Sequence, residues 1–219
     1  MKIKRTNRLL IIISAFAVFS MLMLTIATSK VYASDRYQVS RDMSLILNGI
    51  SAIIKNDPEK AMSSDPYDYI DNEYYNDMVL RGYSIIPIAM SKIDESKENG
   101  LEQYIWAICV EDISKTYLKD IKGYEWSNAK EWLEKWKQYL RNIPDKVEFI
   151  VNDKDHTIEE KKEILIGMGM MALPFIEDAI KANHEELIEI RDELIKKTGD
   201  VKESDIELIR EIVQSVCNE

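Results

Sequence analysis

Gly169-Met-Met-Ala-Leu-Pro174-Phe-Ile-Glu-Asp-Ala-Ile180 has a counterpart 87 residues earlier in the same chain, Gly82-Tyr-Ser-Ile-Ile-Pro87-Ile-Ala-Met-Ser-Lys-Ile93. Each copy keeps a glycine, a proline five residues on and an isoleucine six further. Glycine takes positive φ without a Cβ clash and so ends helices. Gly82 and Gly169 follow apolar pairs at matching places, Met78-Val79 and Leu165-Ile166. A proline in the first helical turn lacks only an amide that has no partner there, so Pro87 and Pro174 mark where a second helix begins. Ser84 is a candidate cap for that helix in the first copy; Met171 stands in its place in the second and cannot cap. Beyond the prolines, Ile88, Met90 and Ile93, or Phe175, Ile176, Ala179 and Ile180, recur at helical spacing and predict core stripes.

With the offset relaxed to 86, Leu101, Tyr104, Ile108 and Cys109 match Leu187, Ile190, Leu194 and Ile195 in a third helix. The unit covers roughly residues 75–109 and 162–195, and long periods of helix–turn–helix units characterise α-solenoids, whose helix pairs bury their apolar faces on one another. The Gly-Met-Met-Ala-Leu-Pro-Phe-Ile segment resembles the turn of HEAT-like repeats, where a Gly-x-x-Ala-hydrophobic-Pro run joins two antiparallel helices. Ile85 replaces the alanine in the first copy. The resemblance implies an all-α, short helical-repeat array that offers an interaction surface and no activity.

Lys2, Lys4, Arg5 and Arg8 precede a charge-free apolar run from Leu9 to Ala27, and Val31-Tyr32-Ala33 fits a cleavage site. Residues 1–33 therefore read as an export signal, cut after Ala33. The run of 19 residues is also long enough to span a bilayer, so an uncleaved N-terminal anchor through residues 9–27 is the alternative. Either way residues 34–219 are carried out as one all-α domain. Removing the leader takes five cations and no acids, leaving 24 basic against 39 acidic side chains and moving the net charge from −10 to −15. Such a balance repels phosphate backbones and argues against nucleic-acid binding.

Motifs that carry chemistry fail on spacing. Asp65, Asp68, Asp71 and Glu73 lie in a polar connection without the alternation that wraps calcium. In Asn152-Asp-Lys-Asp-His-Thr157 a calcium loop needs glycine where Ile158 stands and glutamate where Ile164 stands. Thr157 with Glu160, and Ser204 with Glu207, read instead as capping boxes. His184-Glu-Glu lacks the second histidine of a zinc helix, having Ile188 in its place. Cys109 falls in an apolar stripe and reads as a small buried hydrophobe, with a Cys109–Cys217 bridge as the alternative in an exported chain. No metal or cofactor is expected.

Leu101–Leu118 reads as one helix whose Glu111 and Asp112 point about 100° apart, one toward solvent and one to the rim, which is not the facing pair of a glycosidase. Trp126 opens the aromatic concentration of the chain; Trp132, Trp136 and Tyr139 share a helix face after a cap at Ser127. They read either as a core seam between the repeats or as an exposed platform for a sugar ring or a partner. Pro144 is expected to end this helix, and Val147–Val151 is a candidate strand. The function expected is an exported, non-catalytic module holding a protein or peptide partner. A carbohydrate-binding protein using Trp126, Trp132 and Trp136 is the alternative, followed by a hydrolase with carboxylates gathered from distant helices.

Overall fold

The computed structural model describes residues 37–52, 55, 62–63, 65–70 and 73–219, except residue 200 and the side chain of residue 198. The leader, residues 1–33, lies outside them, as do Ile53, Ile54 and Asp71. Two compact units divide the chain, residues 1–44 and 45–219. In the first, residues 37–44 are helical and bury Val39 and Met43. In the second, residues 45–52 are helical, bury Ile46 and Ile50, and are labelled α1.

The second unit goes on through α2 (Glu73–Leu80), α3 (Ile85–Glu95), α4 (Leu101–Ser114), α5 (Ala129–Asn152), α6 (Ile158–Gly167), α7 (Leu173–Lys181), α8 (Ile188–Thr198) and α9 (Glu203–Cys217). The described residues contain no strand, and the protein is all-α. Among them no helix is long and apolar enough to cross a membrane.

The two copies take the same local form. Gly82 and Gly169 have φ of +71° and +68°. A short 3-10 turn begins at Gly82 in one copy, Gly82–Ser84, and directly after Gly169 in the other, Met170–Ala172, and leads into α3 or α7. Pro87 and Pro174 sit in the first turns of those helices, where no intrahelical amide is lost. Ser84 makes no capping bond. The third helix packs on both its predecessors in each copy, α4 on α2 and α3, α8 on α6 and α7.

Two helices outside the copies join them. α5, about 36 Å long at 1.5 Å per residue, packs on α3 and α4 of the first copy and on α6, α7 and the 170–172 turn of the second. α9 packs on α5 and α7 and touches both 3-10 turns. Its buried stripe is Ile206, Ile209, Ile212, Val213 and Val216.

Several local expectations are corrected. α5 runs through Pro144 to Asn152, so Val147–Val151 is helix. Pro144 leaves the Leu140 carbonyl without its intrahelical donor, but Val147, Ile150 and Val151 continue the buried face of Ile143, and their burial outweighs that loss. α4 stops at Ser114, where Lys115 turns left-handed at φ +52°. Asn128 rather than Ser127 caps α5, its side chain accepting from Glu131 N at 3.0 Å, while Ser127 binds the Glu131 carboxylate. Asp205 rather than Glu207 closes the box at the start of α9, accepting from Lys202 N at 2.9 Å. Thr157 and Glu160 do form the reciprocal pair predicted for α6.

Candidate functional site

At the end of α4 the chain folds back over its own helix. Lys115 breaks the helix, Thr116 N donates to Glu111 O at 3.3 Å, and the connection then returns to α4 through Leu118, Lys119 and Trp126 while its Leu118–Asp120 turn packs on α5. Beneath it is Glu111, 1% exposed. Its Oε1 accepts from Leu118 N at 3.1 Å, Trp126 Nε1 at 3.3 Å and Trp132 Nε1 at 2.9 Å. Burial raises the carboxyl's pKa, and the three donors and Lys119 oppose that rise. The expectation of solvent-facing and rim acids here is corrected for Glu111. α4 is buried on every side from Ile105 to Val110, so an acid one residue further on has no water to face and must find donors in the protein.

Asp112 points elsewhere, as the 100° step requires. It accepts from the Tyr75 hydroxyl and from Tyr117 OH at 3.1 Å. Tyr67 and Tyr117 gather at the same end; burial first, and then the neighbouring carboxylates, push each hydroxyl up to about 12. Lys119 closes the cluster, donating to Tyr104 OH at 2.8 Å with its ammonium 4.3 Å from the Trp126 ring centre. The carboxylates serve as acceptors for groups of their own chain. Chemically this is a knot that holds the 115–126 connection against α4.

Trp126, Trp132, Trp136 and Tyr139 are all buried, Trp132 and Trp136 completely. Trp132 and Trp136 stack with ring centres 5.4 Å apart and planes 13° from parallel. Tyr139 OH donates to Met168 O at 2.6 Å, satisfying a carbonyl at the end of α6. The exposed platform for a sugar ring is therefore corrected: α5 turns this face toward both copies, and the rings form the core seam. The repeat-defining residues stand at the joints, Gly169 most tightly, since a Cβ there would lie 2.2 Å from Thr116 Oγ1.

The polar candidates are engaged locally. Asp65 caps the Pro66–Tyr69 turn, accepting from Tyr67 N at 3.0 Å. Asp153 accepts from Asp155 N and pairs with His156 at 2.7 Å. His184 pairs with Glu186 at 3.1 Å. Asn183, at φ +77°, follows the end of α7. Cys109 and Cys217 are both free; Cys109 is buried, which pushes its thiol well above the usual range, and Cys217 is exposed.

One open surface combines shape with chemistry. Between the C-terminal half of α5 and α7 lies a groove of about 410 Å³. Pro144, Val147 and Val151 line one side and Phe175, Ala179 and Ala182 the other. It shares Glu148 and Asn152 with an adjoining hollow of about 570 Å³ that includes Asp145, Phe149 and Asp155. Phe149 is 67% exposed. The groove was missed from sequence because expecting α5 to end at Pro144 removed one of its walls.

No family model, curated protein or solved structure matches the chain.

Proposed function

We propose that this chain is an exported, non-catalytic helical-repeat module, its duplicated helix pairs stacked antiparallel in a short α-solenoid that holds a protein or peptide partner outside the cell or at its surface. The observation that carries the reading is the α5–α7 groove. Helical-repeat scaffolds bind along surfaces made where their units meet, and this groove opens where the long helix joins the second copy. The buried state of Trp126, Trp132 and Trp136 favours a protein partner over a carbohydrate. Export rests on the basic-then-apolar pattern of residues 1–33, with residues 9–27 as the membrane contact if the leader is kept.

The test is capture. The chain recovered from its producing cells, immobilised and exposed to the cell envelope fraction and culture fluid, should retain a defined protein identified by mass spectrometry. Retention of glycan alone, or of nothing, at concentrations where the chain is folded overturns the reading.

A further inference from the structure

We infer that the α5–α7 groove receives a basic amphipathic helix of a partner protein, an inference that rests on the binding-module reading and names the chemistry of its partner. Pro144, Val147 and Val151 fall at i, i+3 and i+7 on α5, and Phe175, Ala179 and Ala182 at i, i+4 and i+7 on and just past α7. Val147 and Val151, 2% and 5% exposed, form the floor, and Pro144, Phe175, Ala179 and Ala182 give the accessible apolar surface of a trough about 10 Å long at 1.5 Å per residue, which takes the ridge of a third helix over about two turns.

Glu148 and Asp178 line the groove, and Asp145, Asp153 and Asp155 the hollow that continues from it, against Lys154 and His184. Asp178 is held by Arg210 and Asp153 by His156. Asp145, Glu148 and Asp155 are exposed and have no ion pair among the described residues. An apolar trough with unpaired Glu148 on its rim, and unpaired Asp145 and Asp155 in the hollow that continues from it, repels an acidic helix and attracts one whose apolar stripe is flanked by lysine or arginine.

The experiment measures fluorescence anisotropy of labelled peptides titrated with the chain as recovered from its producing cells. One peptide is a Leu/Lys helix with leucines at i, i+3, i+4 and i+7. The second has the same composition scrambled to destroy the stripe, and the third carries glutamate for lysine. The Leu/Lys helix is expected to bind saturably, with the other two at least tenfold weaker. Asp145→Lys/Glu148→Lys, both exposed and so compatible with the fold, and Ala182→Trp, which fills the mouth of the groove, should each weaken it tenfold or more, with unchanged circular dichroism.

Equal binding of the scrambled peptide would reduce the effect to net charge and overturn the inference, as would full affinity in both variants. The two readings are separable. A protein captured equally by the parent chain and by the charge-reversed variant refutes the groove and leaves the binding module standing, whereas absence of any captured protein refutes the module itself.

Discussion

Gly82 and Gly169 hold nearly the same backbone angle in different surroundings. No atom lies within 4 Å of a Cβ built at Gly82, whereas at Gly169 it would collide with Thr116 Oγ1 and sit 3.0 Å from Lys115 O. Gly169 also has ψ of −168°, a combination almost confined to glycine. Gly82→Ala is expected to cost about 1–2 kcal/mol, the left-handed penalty alone, and Gly169→Ala about 4 kcal/mol; urea denaturation of the two variants measures the difference. Glu111 provides a second contrast. Glu111→Gln keeps an acceptor for the indoles and should cost about 1 kcal/mol, while Glu111→Ala strands three buried donors and should cost about 3 kcal/mol or more. Because the folded pKa lies above the ordinary 4.5, the folded state binds more protons, and the advantage of Glu111 is greatest below pH 4.5 and lost as pH rises through the folded pKa. The stability of the parent chain relative to Glu111→Gln should therefore fall as pH increases from 4.5, and a parallel pair of stability–pH curves would refute the assignment. The glycines were legible because positive φ restricts residue choice at one position; Glu111 was not, because its environment is assembled from Trp126, Trp132 and Leu118, up to 21 residues away.

At the scale of elements, α5 decides most. Its Tyr139 reaches the end of α6, and Tyr139→Phe removes the donor from the buried Met168 carbonyl at an expected cost of about 1–2 kcal/mol, read by thermal or chemical denaturation. Pro144 is the weak link in its backbone. Pro144→Ala supplies the missing amide to the Leu140 carbonyl and should stabilise the fold by about 1 kcal/mol after the loss of proline's restraint on the unfolded chain. The reading of α5 from sequence was right about its stripe and wrong about its length for one reason. Local propensity puts a boundary at Pro144, and only the neighbours that bury Val147, Ile150 and Val151 can overrule it. The caps show the same limit at finer grain. Thr157 and Glu160 form a self-contained motif and were predictable, whereas Ser127, Asn128, Ser204 and Asp205 all suit capping chemically, and the choice among them depends on where packing starts the helix.

At the scale of the unit spanning residues 45–219, the duplication does not make two independent halves. α5 packs on both copies and α9 touches both glycine turns, so opening either copy exposes apolar surface on the other. Calorimetry should accordingly give one transition for this unit with equal calorimetric and van't Hoff enthalpies; two separable transitions would mean that the copies unfold as independent repeats. The stacked indoles of α5 lie where those contacts meet. Trp106, the fourth tryptophan of the chain, is also buried, on α4. Every source of tryptophan emission is thus in the interior, two of them close enough and parallel enough for their excited states to couple. The protein carries a built-in optical gauge: its native tryptophan fluorescence comes entirely from the interior, and a partner docking on the outer surface leaves that light unchanged unless the packing around the indoles itself moves.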